Sequence, residues 1–266
     1  MFDQPSDFEA ESNALYGLLK DKSDAELAQP TQFKGWSIDH VIGHLHIWNH
    51  AADLSLKGGA DVDAFIAAAT EEAHKTSLRN FENIWLDGLH GRALLETWHA
   101  YYPQVANRFS ATDPKVRLKW SGPDMSARSS ITARLMETWA HGQEVYDTLG
   151  VVRHDKDYIK NIAVLGVNTF GWTYQNRGKP VPDQMPYVRL TAPSGGIWEW
   201  GDAEQSNSIT GAATEFCQVV TQTRNIADTT LGVRGDVAAE WMAIAQCFAG
   251  PVEQPPAPGT RRTAQV

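Results

Sequence analysis

The chain has 266 residues and a hydrophobic content of 42%, enough for two cores of ordinary domain size. A formal net charge of −9 and a pI near 5.4 repel phosphate backbones, and no local basic patch offsets that field, which argues against a nucleic-acid partner. Ten Trp, seven Tyr and nine Phe exclude a disordered chain, and no apolar run of about 18 residues is present to cross a membrane.

Taken in order, the stretch MFDQPSDFEAES is acidic where a signal peptide is basic, so a cytoplasmic location is expected. Ser6 and the spacing of Phe8, Leu15, Leu18, Leu19 and Leu27 predict a first helix over residues 7–28, ended by Pro30. Ser37 is the expected N-cap of a second helix that runs to Lys57 and stops at Gly58-Gly59. Residues 61–109 read as helix-rich with a break at 88–91, and residues 111–130 as turns with a short extended piece. Ser129, Ser130 or Thr132 is the expected cap of a helix that ends at Gly150.

A fifth helix is predicted from Asp155 to Tyr174, followed by the Pro/Gly-rich connector QNRGKPVPDQMP. Beyond it, YVRLTAPSGGIWEWG reads as two strands around a turn. Helices at 211–223 and 236–249 with a strand at 229–234 complete a small α+β unit. The expected division is therefore a helical domain over 1–176, a small α+β domain over 186–250 and a disordered Pro-rich tail over 251–266. Cys217 and Cys247 match neither a zinc knuckle nor a CxxC motif, so both are expected as buried, reduced thiols.

The chemistry concentrates in ITARLMETWAHGQEVYDTLG, where Glu137 and His141 stand four residues apart. At about 100° per residue an i, i+4 pair shares one helix face, so a carboxylate and an imidazole there point into the same space. A third ligand is expected from GWSIDHVIGHLHIWNHAADLS, where His40 and His44 share one face and His46 and His50 nearly the opposite one. The face of Val41, Leu45, Trp48 and Ala52 is expected to be buried. His44 lies at its edge and is the first choice of ligand; His46 is the second, with His46, Asn49 and His50 placed on a pocket rim or in solvent. Two imidazoles and one carboxylate hold a divalent ion while leaving a position open for chemistry.

With these motifs the chain resembles the DinB-like metal-binding superfamily, in particular its branch of mycothiol-dependent maleylpyruvate isomerases. The resemblance implies an N-terminal four-helix bundle that binds zinc, or else nickel or iron, through His44, Glu137 and His141, followed by a sterol-carrier-like α+β domain in APSGGIWEWG and VRGDVAAEWMAIAQCFAG. It also implies an enzyme: a transferase or isomerase that uses mycothiol, or bacillithiol or glutathione in other hosts, against a small electrophile. The branch closes on Gly-Arg where this chain reads Ala249-Gly250-Pro251, so maleylpyruvate itself is not the expected substrate. Arg189 and Arg234 are candidate replacements for that guanidinium.

A metal-bound thiol loses its proton and becomes nucleophilic near neutral pH. Two further readings remain open: a thiol-independent metal-dependent cyclase, lyase or hydrolase, and a non-catalytic ligand-binding protein. Arg134, Glu144, Asn49 and His50 are the candidates to orient a ligand or substrate. A monomer or homodimer acting on a small molecule is expected, with no nucleic acid and no membrane as partner.

Overall fold

The computed structural model describes residues 2–262 except 121 and 123. It contains two compact units that divide between Val145 and Tyr146. Among the described residues no helix is long and apolar enough to span a membrane.

The first unit is helical. Helix α1, Gln4–Leu19, starts with Pro5 in its first turn, where a missing N–H costs nothing. Its Phe8, Leu15 and Leu19 are fully buried, each contributing roughly 1.5–3 kcal/mol. A single turn, α2 at Asp24–Leu27, follows behind a capping box of Ser23 and Glu26. The single helix expected over 7–28 is thus two pieces, because Ser23 takes up the backbone N–H of Glu26 and restarts the chain.

Helix α3, Ile38–Lys57, is capped by Ser37 as its spacing predicts, with the His40 ring closing the capping box. Helices α4, Ala60–Lys75, and α5, Leu78–Leu86, pack on one side of α3, and α6, Gly91–Ser110, packs against both α1 and α3. At Gly43 a Cβ would come within 2.8 Å of Leu86 Cδ1, so the absence of a side chain lets α5 approach α3. A two-stranded ribbon, β1 at Arg117–Leu118 and β2 at Met125–Ser126, leads into α7, Ala127–Thr148. The Ser126 hydroxyl accepts the Ser129 N–H, so Ser126 caps α7 rather than Ser129, Ser130 or Thr132.

Gly150, at φ 67°, ends α7 with the Val151 N–H donating back to the Tyr146 carbonyl, a C-terminal turn that favours glycine.

The second unit begins with a 3-10 turn at Asp157–Ile159 and helices α8, Lys160–Asn168, and α9, Phe170–Gln175, in place of one continuous fifth helix. Strands β3, Tyr187–Thr191, and β4, Ile197–Trp200, form the expected hairpin around the Ser-Gly-Gly turn. Strand β5, Ser208–Ala212, was not legible in the sequence; it lies parallel to β3 and antiparallel to β6, Gly232–Arg234. The sheet order is β4-β3-β5-β6. Helix α10, Ala213–Val220, packs on β3, β5 and α8, and α11, Asp236–Ile244, on β6 and α9.

Two boundaries expected from composition move. Residues 146–176 belong to the second unit, because α8 packs on α10 and the Phe170 ring meets Trp241 edge-on at 5.0 Å. The Pro-rich stretch from 251 is also held in place: Gln222 donates to the Glu253 carbonyl, Asn225 to that of Pro256, and the Gly259 N–H to Asp228. Side chains of the domain take up the backbone groups that prolines keep out of regular structure. Residues 263–266 of the expected tail lie outside the described residues. Cys217 and Cys247 are buried free thiols, and burial pushes that of Cys217 well above its usual pKa.

Candidate metal centre

Helix α7 presents Glu137 and His141 on one face, one turn apart, and α3 presents His44 toward them. Glu137 Oε2 lies 3.2 Å from His141 Nε2 and 3.4 Å from His44 Nε2. One ligand atom from each of the three residues falls within 4.8 Å of the others, close enough for one ion to engage all three. Both imidazoles aim at the same carboxylate oxygen. The side chains of His44 and His141 are 11% and 13% exposed and that of Glu137 is 25% exposed, so the cluster is sheltered but reachable.

Aromatic rings wall it. Trp36 stacks on His141 with centroids 5.6 Å apart and planes within 6°, and Phe33 meets the same imidazole edge-on at 5.1 Å. A second acidic residue stands behind His44: the imidazole Nδ1 is 2.7 Å from Glu82 Oε1 on α5, and Trp48 Nε1 donates to the same oxygen at 2.9 Å.

These neighbours set the charges of the cluster. Burial opposes a charged His44 ring, but Glu82, and then Glu137, push its pKa up to about 9. Burial would by itself raise Glu137; hydrogen bonds from His141 and His44, and their charge, hold it well below the usual carboxylate range. His141 is pushed down by burial, with Glu137 opposing and the charge of His44 adding to the fall. Two imidazoles share one carboxylate oxygen.

Arg134 and Asn49 come together, and both are buried. The Arg134 Nε donates to Asn49 Oδ1 at 3.0 Å, and burial draws its guanidinium pKa down to about 10 against the charges of Glu137 and Glu82. Asn49 is therefore fully buried against Arg134 of α7, neither at a rim nor in solvent, whereas His46, buried as well, lines a surface depression beside Tyr101. His46 is not part of the cluster. Its ring packs against Trp85 and Tyr101, and burial lowers its pKa to about 4.

His50 packs in the same place, against Phe65, Trp85 and Tyr101, away from the candidate ligands. A depression of about 490 Å³ near His46 and Tyr101, lined also by Glu96, Thr97, Ala100 and Gln104, shares no residue with the triad. Glu144 is buried on α7. Arg189, on the inner strand β3, is exposed and pairs with Glu199 of β4, and Arg234 is an exposed residue at the end of β6. Glu82 escaped the sequence analysis because it lies 38 positions from His44 and follows no ligand spacing.

Comparison with known proteins agrees with this architecture. The model of the mycothiol maleylpyruvate isomerase N-terminal domain matches residues 8–146. An uncharacterized protein of Mycobacterium tuberculosis, found in two strains, is 35% identical over 246 residues, covering 92% of this chain and 95% of the relative. Among solved structures, that of the mycothiol-dependent maleylpyruvate isomerase aligns with a TM-score of 0.51 at 14% identity, covering 82% of this chain and 87% of the other. A histidine-to-alanine mutant of that isomerase aligns equally well at 15% identity. At such identity the structural likeness carries the fold: a helical N-terminal part and a small sheet domain, α+β overall. The chain belongs to the family defined by the mycothiol maleylpyruvate isomerase N-terminal domain.

Proposed function

We propose that the protein is a divalent-metal-dependent enzyme that uses a low-molecular-weight thiol, mycothiol by family, as a transferase or isomerase of a small electrophile. The observation that carries this reading is the convergence of His44, Glu137 and His141. Two nitrogens and an oxygen suit zinc, with nickel or iron as alternatives, and three protein ligands leave room for an exogenous one. When bound, such an ion supplies positive charge that favours the thiolate over the thiol at neutral pH.

The chain's own groups do the rest. His44 and His141 serve as neutral donors through Nε2, and Glu137 offsets part of the charge. Trp36 and Phe33 cover His141 and keep water from that side. Arg134, held by Asn49, adds a buried positive charge one turn from Glu137 on the same helix, which favours an anionic thiolate or substrate in the same region. The thiolate sulfur adds to the electrophilic carbon of a conjugated C=C bond as the π pair moves onto the attached carbonyl oxygen; in an isomerisation, after rotation about the resulting single bond, that pair returns, the C–S bond breaks and the thiolate is released. Arg134, Asn49 and Glu144 are positioning candidates in this scheme, and a cytoplasmic setting supplies the reduced thiol.

The deciding experiment is elemental analysis of the purified protein together with calorimetric titration of mycothiol. About one zinc, nickel or iron per chain with a thiol response is the expected result. Metal without a thiol response points to the thiol-independent cyclase, lyase or hydrolase. A chain free of metal leaves a non-catalytic binding protein as the better reading.

A further inference from the structure

An imidazole ligand must present one of its two nitrogens to the ion, and the three proposed ligands do not make that choice for His44. In the fold its Nε2 faces Glu137 at 3.4 Å while its Nδ1 faces Glu82 at 2.7 Å. Glu82 is only 5% exposed, and its Oε1 accepts from Trp48 Nε1 as well. A buried carboxylate engaged by two donors has no low-energy alternative, because turning away would strand the indole N–H and the imidazole N–H together.

The same helix also meets the ring that stacks on the second imidazole. Arg79, one turn before Glu82, lies with its Cζ 5.8 Å from the Trp36 ring centroid, and Trp36 is the ring stacked on His141. Arg79 Nη2 also lies 2.9 Å from His40 Nε2, fastening α5 to the start of α3. One helix that contributes no ligand thus holds His44 directly and touches the aromatic wall of His141.

We propose that Glu82 is the positioning residue of the metal centre, holding the His44 proton on Nδ1 so that Nε2 is the atom offered to the ion. The inference rests on the reading of His44, Glu137 and His141 as metal ligands. A carboxylate behind an imidazole also strengthens it as a donor. With Glu137 it balances the charge of a divalent ion, and the buried Arg134 then leaves the site with one net positive charge. That residual charge suits an anionic exogenous ligand such as a thiolate better than a neutral one.

The test is Zn²⁺ affinity, measured by competition with a chromophoric chelator, for the full-length wild type and the Glu82→Gln, Glu82→Leu, Glu82→Ala and Trp48→Phe variants. Outer partners of metal-bound histidines typically change affinity about 10–100-fold. Glu82→Gln, which keeps an acceptor but loses the charge, is expected to weaken binding about 10-fold, and Glu82→Leu toward 100-fold. Trp48→Phe, which leaves the carboxylate on His44, is expected to stay within about 3-fold of wild type. The Co²⁺-loaded Glu82 variants are expected to show a shifted visible d–d band, a change that loss of packing alone does not produce. Glu82→Ala, which also removes the acceptor, keeps the test valid should Glu82→Leu fail to fold. Unchanged affinity and an unchanged cobalt spectrum in the variant that lacks the acceptor would overturn the role of Glu82 alone. A wild type that takes up no Zn²⁺ would overturn the metal reading and this role with it.

Discussion

Helix α3 carries sheltered histidines on two faces, and the two faces end in different chemistry. On one, His44 meets two carboxylates, Glu82 and Glu137, and faces a second imidazole at a centroid distance of 4.7 Å. On the other, His46 and His50 sit among the rings of Trp85, Tyr101 and Phe65. The acid of that second face, Asp53, is already saturated: Tyr101 donates to it at 2.9 Å, Lys57 lies 3.0 Å away, and Arg108 pairs with its other oxygen. Residue type is therefore a poor guide to a metal centre. What marks one is ligand atoms that converge on a shared point, as opposed to a carboxylate already matched by its own cations and donors.

The largest expected effect breaks the first face. His44→Ala, Glu137→Ala or His141→Ala each removes one of three ligands and is expected to drop metal content from about one per chain to near zero, by elemental analysis, with the helical circular dichroism retained. Stoichiometric metal in two of the three variants would place the centre elsewhere.

On the second face, Arg108→Leu leaves Asp53 with Lys57 and Tyr101 only. Because the Arg108 side chain is 37% exposed and Lys57 remains, the expected loss is about 2 kcal/mol in denaturant unfolding, below the cost of stripping a fully buried pair. Metal content is expected to stay unchanged, which separates the two faces directly.

The pH response sharpens the contrast. Burial, aided by the charge of His50, depresses His46 to about 4, below its ordinary value near 6.5. A histidine depressed in the fold contributes stability that is present above pH 6.5 and lost as the pH falls toward 4. Between pH 7 and pH 5 that loss amounts to about 2 kcal/mol. His46→Phe is expected to flatten this part of the stability profile, and an unaltered slope would remove His46 as its source.

The smallest effect is expected at Gly43→Ala, where the new methyl meets Leu86 Cδ1 at 2.8 Å. The leucine end can yield, and alanine favours the helix, so a net loss of about 1 kcal/mol is expected by thermal unfolding.

Much of this was legible along the chain. The i, i+4 spacing of Glu137 and His141 places them on one helix face whatever surrounds them, and Ser37 caps α3 through contacts within three residues. The β3–β4 hairpin follows from alternation around Ser-Gly-Gly. Strand β5 was not legible, because SITGA offers a single large apolar residue, Ile209, and owes its conformation to pairing with β3 on one side and β6 on the other. The domain boundary was misplaced because a Pro/Gly-rich connector marks a break in secondary structure, and only packing shows to which core α8 and α9 belong.

Local spacing by itself determined which residues share a helix face and hence that Glu137 and His141 act as a pair. Only the tertiary structure decided which face of α3 meets that pair, that Glu82 stands behind His44, and that Asn49 and His46 are buried. The physical reason is range. Helix periodicity and capping are settled within a turn or two of the backbone, whereas the partner of His44 comes from a separate helix and is chosen by how α3, α5 and α7 pack.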